Sequence, residues 1–514
     1  MEFKMAEISK EECITEEGKT VNIVVTGCKL AENSTLNICP CCCSCFDGSG
    51  NGNGNGNGNG NGNGNGNGNG NGDGKVDENG NGSTGNDDDK EAKFEISLLG
   101  SAGNDTFYDL VPTEEGYLTV GCTRNNSVPL LAKYKPDLEY VSQHVGGYGS
   151  TSFYDLKYHK KEEKYVTVGY CTQPTWHQNI IGYIDKGIVY KSQKTTSALH
   201  DSCSYSSSCV SPEDFDGSAS FFACGIYRYN PFLTAYDKDC NRMKNVSLSV
   251  GGNFDDILVL KNKVIAVGNV SFAGTAGGAD GLISIFSDVL EPEKHILIGM
   301  EKDDKFKRIC KIADGYIIAG TSVNTANNTT DVLLIKLDES FNVVQKAKVY
   351  GGGNDIVSDL KVYADGSLAI CGNTTSFGAG STDAMLIKLD KDFTIIKQII
   401  FGGSAADSIN GLVLNKDGSI TVVGQTNSAG AGQSDAFIAT IRGKWKDLSG
   451  ALKSYPALRL NGKPGFSTTN DFTLSYSDTA SITVSNAAIG ETDRSEQLAE
   501  SSELTVNPNA TTEA

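Results

Sequence analysis

One unit of sequence repeats along most of this chain, from about Phe94 to Ile441. In the clearest copies, 350–389 and 401–441, a Gly-rich turn and an Asp precede three short apolar runs. The second run of every copy ends in a glycine, at Gly121, Gly169, Gly225, Gly268, Gly320, Gly372 and Gly424. A period near 50 residues built from short strands is typical of β-propellers, in which each repeat forms one four-stranded blade. The glycines therefore predict an all-β, seven-bladed β-propeller.

The ends of the repeat region predict how the ring of blades closes. The last copy stops at its third run, 435–441, and lacks a fourth strand. The run FEISLL (94–99) precedes the first complete copy and has no partner strands before it. If it supplies the missing strand, the ring has no open seam at which strand edges are exposed. We therefore predict a propeller domain over 93–447, with an N-terminal strand that completes the last blade.

The N-terminal segment, residues 1–48, is rich in cysteine. Its seven cysteines are Cys13, Cys28, Cys39, Cys41, Cys42, Cys43 and Cys45. Two short strands are predicted within 19–38, so we interpret the segment as a small Cys-rich β module. Neighbouring cysteines cannot easily all pair with one another, which favours inter-subunit disulfides; a soft-metal site and a reduced cluster are the alternatives. We predict that this module anchors the chain to a larger assembly.

Two further segments flank the propeller region. Residues 49–92, an Asn-Gly tract followed by an acidic stretch, have too few apolar residues to form a core and predict a flexible linker. Within the linker, 69–77 matches part of a calcium loop, but Gly80 replaces the bidentate acid, so no metal site is predicted. The C-terminal tail, 448–514, alternates over 466–489 and is then rich in Ser, Glu and Thr, which predicts one hairpin followed by disordered chain.

The repeats also resemble a known family. The sequences FGGSAADSINGLVLNKDGSITVVGQTNS (401–428) and DAFIATI (435–441) carry a Gly-Gly…Asp turn, an Asp-Gly hairpin, a Val-Val-Gly-x-Thr strand end and an Asp-Ala-Phe strand. These features are similar to the SBBP-type bacterial β-propeller repeat. The resemblance covers about 350 residues and is strongest in repeats 5 to 7. It implies a propeller fold in a surface protein, and it implies no catalytic residues.

Aspartates recur at two positions of the repeat. One set opens the blades, at Asp105, Asp304, Asp355 and Asp407, with Asp255 or Asp256 in the fourth blade; the other precedes the third strand, at Asp280, Asp331, Asp383 and Asp435. A ring of carboxylates is able to bind cations or to act as acid and base. However, a residue found in almost every blade is better explained by a task that every blade has, such as accepting N–H bonds in a tight turn. We therefore interpret these aspartates as structural and predict no catalytic residue.

Blades 2 and 3 depart from the repeat. They lose the regular aspartate, contain an insertion around 195–217 and gain the aromatic and histidine residues Phe153, Tyr154, Tyr170, Trp176, His177, Tyr205, Phe215, Tyr227 and Tyr229. Aromatic loop residues give large contact areas at sugar- and protein-binding sites, but they can equally repack a degenerate blade. Our candidate ligand-binding residues are Trp176, His177, Tyr227 and Tyr229. Within the insertion, Cys203 and Cys209 suggest a loop-tying disulfide.

Composition narrows the functions that this chain can have. The net charge of −19 disfavours nucleic acid and anionic membranes as partners, because both are bound by clusters of Lys and Arg. No apolar run is long enough to span a bilayer, and the N-terminus lacks the pattern of a Sec signal peptide. The five histidines are scattered and the motifs of known propeller enzymes are missing, so we predict no cofactor, no metal and no enzyme activity.

An anchor, a flexible spacer and a propeller head together indicate a displayed structural or adhesive protein. Residues 1–48 are expected to join other subunits of a surface or virion assembly, and the propeller to bind a glycan or protein partner. The expected location is the extracellular surface of a spore, cell or virion, as in a spore appendage or a phage fibre. The alternative is a propeller enzyme that acts on glycans in the central funnel.

Overall fold

The structure is a computed structural model. It describes residues 13–16, 19–22, 91–123, 128–145, 150–173, 176–184, 190–197, 203–272, 275–479, 482–485, 490–494, 499–500 and 505–511. Side chains are described within 91–123, 128–145, 152–170, 180–184, 205–272, 275–479 and 482–485, and elsewhere only the backbone is. In the N-terminal segment, β1 (Cys13–Glu16) and β2 (Lys19–Asn22) form a small antiparallel hairpin.

The remaining strands form seven antiparallel sheets, one for each predicted blade. The first strands of blades 1 to 7 are β4 (Thr106–Thr113), β8 (Ser150–His159), β12 (Cys203–Val210), β16 (Gly251–Leu260), β20 (Asp304–Ile312), β24 (Asp355–Val362) and β28 (Asp407–Leu414). The second strands are β5 (Gly116–Thr123), β9 (Lys164–Gln173), β13 (Phe221–Tyr227), β17 (Lys263–Ser271), β21 (Gly315–Val323), β25 (Leu368–Thr374) and β29 (Ile420–Thr426).

The third and fourth strands complete each blade. The third strands are β6 (Val128–Tyr134), β10 (Trp176–Ile184), β14 (Asn230–Tyr236), β18 (Asp280–Ser287), β22 (Thr330–Leu337), β26 (Asp383–Leu389) and β30 (Asp435–Arg442). The fourth strands are β7 (Tyr140–Val145), β11 (Tyr190–Ser197), β15 (Arg242–Leu248), β19 (Pro292–Gly299), β23 (Val343–Tyr350) and β27 (Ile395–Gly402), with β3 (Lys93–Gly100) in blade 7.

The ring closes as the sequence predicts. Strand β3 pairs with β30, from Phe94 opposite Ile441 to Leu99 opposite Ala436, so the N-terminal strand completes blade 7. The first strands adjoin one another around the ring, and β28 lies beside β4. Across this junction the Asn410 side-chain amide donates to the Phe107 carbonyl at 2.8 Å. The all-β fold and the seven blades are confirmed.

The core consists of apolar layers between neighbouring blades. Seven such layers occur, one for each pair of neighbouring blades, because the second and third strands are buried on both faces. Between blades 6 and 7, for example, the ring of Phe401 lies 5.1 Å from that of Phe94 and 5.3 Å from that of Phe437. This burial of apolar surface stabilises the ring.

The recurring glycine of the second strand is required by a bulge in the first strand. In blade 6 the bulge lies between Val357 and Asp359, and it brings the Ile356 carbonyl against Gly372. A Cβ atom at Gly372 would lie 1.9 Å from that oxygen. The same approach, at 1.9 to 2.2 Å, recurs at Gly121, Gly169, Gly268, Gly320 and Gly424. The glycine period in the sequence therefore reports a backbone contact.

The C-terminal tail forms a belt around the propeller. After a 3₁₀ turn (Trp445–Asp447) come β31 (Ser449–Ala451), β32 (Arg459–Asn461), β33 (Ser467–Thr469), β34 (Ser475–Asp478), β35 (Val484–Ser485), β36 (Gly490–Arg494), β37 (Ala499–Glu500) and β38 (Thr505–Thr511). Strands β32 to β38 each add a fifth strand to one blade, in the order 6, 5, 4, 3, 2, 1, 7. The predicted hairpin over 466–489 is wrong, because β33, β34 and β35 pair with different blades. The belt covers part of each outer edge, which would otherwise be open to pairing with other chains.

Candidate functional site

The four residues selected from blades 2 and 3 do not form one described site. Tyr227 is buried and packs on Phe232, with ring centroids 5.5 Å apart. Tyr229 is 71% exposed at the tip of the turn between β13 and β14, where its φ is +65°. The backbones of Trp176 and His177 begin β10, but their side chains lie outside the described residues. Tyr227 is therefore a core residue, and only Tyr229 is seen to be accessible.

Repacking explains two further aromatic residues of these blades. Phe153 and Tyr205 are fully buried. The Tyr205 hydroxyl lies 3.0 Å from Thr234 Oγ1 and 2.5 Å from the Tyr236 hydroxyl, so a polar group that would be costly to bury is hydrogen-bonded. The aromatic enrichment of blades 2 and 3 thus builds interior packing at these positions.

Only some of the cysteines for which disulfides are predicted lie within the described residues. Of the seven anchor cysteines, Cys13 lies in β1 as backbone only, and Cys28, Cys39, Cys41, Cys42, Cys43 and Cys45 lie outside the described residues. Cys203 and Cys209 occupy the same strand, β12, six residues apart. That spacing corresponds to about 20 Å in a strand, whereas a disulfide needs Cα atoms within about 7 Å. The predicted loop-tying disulfide is wrong for this reason.

The aspartates that open the blades have the structural role that the repeat predicts. Asp355 Oδ2 accepts from the Gly351 N–H at 2.8 Å, and Oδ1 accepts from Thr374 Oγ1 at 2.5 Å. The equivalent bond from the N–H four residues earlier occurs at Asp105, Asp304 and Asp407, at 2.5 to 2.9 Å. Each carboxylate therefore ties the loop that enters its blade to the sheet.

A second set of acids surrounds the central channel, and only Asp256 among them was named from the sequence, as a candidate for the blade-opening position. The set consists of Asp109, Asp155, Asp256 and Asp359, each directly after the bulge of a first strand; we call it the aspartate ring. Each accepts an N–H bond from the next blade, at 2.7 to 3.1 Å, with donors Leu156, Ser208, Ile309 and Leu412 respectively. These bonds link successive blades around the channel.

Partly exposed cations balance the aspartate ring. Lys157 Nζ lies 3.1 Å from Asp109 Oδ2 and 2.6 Å from Asp155 Oδ1. Burial raises the pKa of Asp109 to about 6 despite Lys157, whereas at Asp155 the charge of Lys157 and its hydrogen bonds outweigh burial and lower the pKa to about 2. Between blades 5 and 6, Arg308 Nε contacts Asp359 Oδ1 at 3.2 Å. The ring is thus a hydrogen-bonded, largely neutralised network.

A cleft of about 630 Å³ opens between blades 4 and 5, and the belt forms one of its walls. The link Met300–Glu301, the loop after β21 and the ends of β22 and β23 line one side, and 469–475 of the belt lines the other. Within it, Lys348 and Asp331 are only 9% and 3% exposed. The volume is that of a small-molecule pocket. We call this site the blade 4–5 cleft.

Lys348 is charged at a fourth-strand position where the other blades are uncharged. The strand registers align it with the buried apolar residues Leu98 of blade 7, Leu297 of blade 4 and Ile400 of blade 6, with Val145 of blade 1, and with the polar residues Thr195 and Ser247 of blades 2 and 3. Its ammonium lies 5.3 Å from the ring centroid of Phe472 in the belt, and the Lys346 ammonium lies 4.9 Å from the same centroid. No hydrogen bond or ion pair of Lys348 occurs within the described part of the chain. The ammonium is not among the buried polar atoms that lack a partner, so its donors face the open cleft.

Asp331 departs from the repeat at the same place. In blades 4, 6 and 7 the equivalent aspartate accepts backbone N–H bonds from a Gly-containing loop, as from Ala276 to Asp280 at 2.7 Å. The blade 5 loop, NTANNT (324–329), has no glycine, and Asp331 accepts instead from the Asn324 amide at 3.3 Å. Burial raises the pKa of Asp331, and the charge of Lys348 opposes that shift. An alignment of the repeats shows both departures: the lysine in the fourth strand and the loop without glycine.

Comparison with known proteins adds little beyond the fold. No family model matches the sequence, and no curated protein matches it. Among solved structures, Sqt1 of Chaetomium thermophilum is similar over 67% of this chain and 97% of its own, at 10% identity and a TM-score of 0.41. Sqt1 bound to the N-terminus of the ribosomal protein L10 gives the same score at 10% identity, over 67% of this chain and 98% of its own. A subtype N10 neuraminidase-like protein of A/little yellow-shouldered bat/Guatemala/060/2010 is similar over 54% of this chain and 92% of its own, at 10% identity and a TM-score of 0.29.

Two absences complete the description. Within the described residues, no group of three or more His, Cys, Asp and Glu side chains is arranged to hold a metal ion. No helix in the same part of the chain has the length and apolar character needed to cross a membrane.

Proposed function

We propose that this chain is a displayed binding protein. Its propeller is the binding head, and its ligand occupies the blade 4–5 cleft. The Cys-rich segment 1–48 fixes the head to a larger assembly on the surface of a spore, cell or virion, and residues 49–92 link the two. The resemblance of the repeats to the SBBP-type family supports the surface setting.

The observation that carries the binding function is the buried Lys348. The fold does not require a charge there, since the aligned position holds an uncharged residue in the other six blades: Val145, Thr195, Ser247, Leu297, Ile400 and Leu98. A residue that lowers stability and breaks the local pattern is expected at a functional site rather than in a scaffold. The departures at Lys348 and Asp331 lie in the same cleft, which strengthens this interpretation.

The experiment is ligand capture by the full chain on an array of glycans and peptides, with wild type compared with Lys348→Leu. We expect the variant to lose capture while its melting temperature rises, because leucine is the residue that blades 4 and 7 have at this position. Lys346→Leu is the matched control, since it removes a cation near the same Phe472 ring but does not line the cleft. Equal capture by wild type and Lys348→Leu would exclude the cleft as the binding site.

The anchoring function is tested separately by electrophoresis of the native protein without and with a reducing agent. We expect thiol-sensitive, high-mass ladders that disappear when residues 1–48 are removed. A monomer under both conditions would refute the covalent anchor. It would leave ligand binding by the propeller unaffected.

One observation favours the alternative, a glycan-cleaving enzyme with its site in the funnel. Asp109 and Asp155 share Lys157 and have pKa values shifted in opposite directions, as acid and base pairs do. Their oxygens, however, accept the inter-blade N–H bonds of Leu156 and Ser208. Release of reducing sugar by wild type, but not by Asp109→Asn at equal fold content, would favour the enzyme.

A further inference from the structure

We propose that the ligand of the blade 4–5 cleft is a neutral glycan, one of whose sugar units places neighbouring hydroxyls against the Lys348 ammonium and the Asp331 carboxylate. This inference rests on the proposed function, and it names the chemical class of the ligand. It follows from the open hydrogen-bond donors of Lys348 and acceptor positions of Asp331, and from the charges of the residues that line the cleft.

The cleft holds a buried donor and a buried acceptor that are not bonded to each other. Lys348 has three N–H donors, and none of them is used within the described residues. Asp331 accepts a single long bond, from Asn324 at 3.3 Å, and so has acceptor positions to spare. A hydroxyl group both donates and accepts, so two neighbouring hydroxyls satisfy a lysine and an aspartate together. A ligand that only donates or only accepts makes a hydrogen bond with only one of these two groups.

The charges of the lining disfavour anionic ligands. Glu301, Asp331 and Asp471 face the cleft with Lys348 as the single cation of the lining, and the whole chain carries −19. A phosphate or carboxylate would gain the contact with Lys348 but would be repelled by the three acids. A neutral ligand makes the same contact without that repulsion.

The remaining lining suits a sugar. The belt contributes the hydroxyl-bearing residues Thr469, Thr473 and Ser475, and Tyr350, which is partly exposed, provides an aromatic surface for the apolar side of a ring. A volume of about 630 Å³ has room for more than one sugar unit. Because the belt forms one wall, the site exists only while β33 and β34 are docked on blades 5 and 4.

The test is saturation-transfer-difference NMR on the full chain. The neutral probes are cellotriose, chitotriose, mannotriose and xylotriose; the anionic probes are sialyllactose and trigalacturonate; the peptide probes are one acidic and one basic decamer. We expect saturation transfer to at least one neutral oligosaccharide, a loss of affinity of tenfold or more in Lys348→Leu and in Asp331→Asn, and a change of less than twofold in Lys346→Leu. Circular dichroism checks that each variant is folded.

The outcomes separate this inference from the proposed function. Binding of a peptide, but of no neutral sugar, that Lys348→Leu abolishes would overturn the ligand class while supporting a binding cleft. Tighter binding of an anionic sugar than of every neutral sugar would likewise overturn the ligand class. Binding of a neutral sugar that is unchanged in Lys348→Leu would overturn the site, and no binding of any probe would overturn both proposals.

Discussion

Replacement of Asp155 by asparagine tests whether the aspartate ring stabilises the propeller through its charge. One Asp155 oxygen accepts from the Ser208 N–H and hydroxyl, both at 2.7 Å, and the other contacts Lys157 at 2.6 Å. Asparagine has nearly the same shape and keeps one carbonyl oxygen. The substitution therefore removes the charge while it preserves much of the packing and one acceptor.

The magnitude follows from the pKa of Asp155. It is lowered from an ordinary value near 3.8 to about 2 in the folded protein. A carboxyl whose pKa falls on folding stabilises the native state above its unfolded pKa, and this contribution is lost as the pH falls through the folded pKa. At about 1.4 kcal/mol per pKa unit, the charge contributes about 2 kcal/mol at pH 7 and about 1 kcal/mol at pH 3. These values are upper limits, because Lys157 keeps Asp109 as a partner in the variant.

The assay is urea-induced unfolding of wild type and Asp155→Asn at pH 7 and pH 3. We expect the variant to be less stable by about 2 kcal/mol at pH 7, and this difference to be roughly halved at pH 3. Asp392→Asn, in an exposed turn, is the control and should match wild type within about 0.5 kcal/mol. A difference that is equally large at both pH values would refute the reasoning, since it would reflect lost hydrogen bonds instead of lost charge.

Two further predictions concern a buried acid and the belt. Burial raises the pKa of Asp304 to about 6, so this residue lowers the stability of the fold progressively as the pH rises from about 4 to about 6, and by a constant amount above that. Asp304→Asn should therefore be more stable than wild type by up to about 3 kcal/mol at pH 8 and equal to it at pH 4, as measured by thermal unfolding. An Asp304→Asn variant that is less stable than wild type at pH 8 would contradict this prediction. Ending the chain after residue 464 should expose outer strand edges on blades 1–5 and 7 and cause self-association in reducing buffer, as measured by light scattering; a monomeric product would show that the bulged outer strands protect their own edges.

The architecture was predictable because its sequence signals arise from contacts that every blade must make. Gly372 and its equivalents mark the bulge contact, and Asp355 and its equivalents mark the tie between loop and sheet. Both recur at a fixed spacing, and so they reveal the number of blades. The strand at 94–99 was predictable from the missing fourth strand of the last copy. Periodicity is a reliable guide where each unit repeats the same physical task.

The belt was not predictable by the same means. Its strands are two to seven residues long and are unevenly spaced in the sequence, so they have no period. What makes them strands is the unpaired outer edge of each blade, which lies far away in the sequence. Buried anchors such as Phe466 and Ile482 are too few to form an apolar pattern. Strand formation by docking onto an existing edge cannot be read from local propensity.

The candidate site was missed for a different reason. Trp and Tyr residues of blades 2 and 3 were predicted to bind a ligand because these residue types are unusual, yet Tyr227 packs in the core. Lys348 is a common residue type, and it becomes unusual only when the strand registers place it beside Leu297 and Ile400 in the alignment of blades. In a repeat protein, a residue is informative when it departs from its own equivalents, whatever its type.

Two groups of charged residues in this propeller, those around the channel and Lys348 in the cleft, differ in the partners that the protein itself provides. Lys157 lies among several buried charges, but each carboxylate around the channel has an N–H donor from the next blade, and Lys157 itself contacts two of them. Such a network is satisfied from within, and its function is to join blades. Lys348 has no comparable partner among the described residues, although the fold offers an apolar alternative at its position. Lys348 faces the cleft with its hydrogen-bond donors open, and for that reason we place the proposed ligand in the cleft and not in the channel.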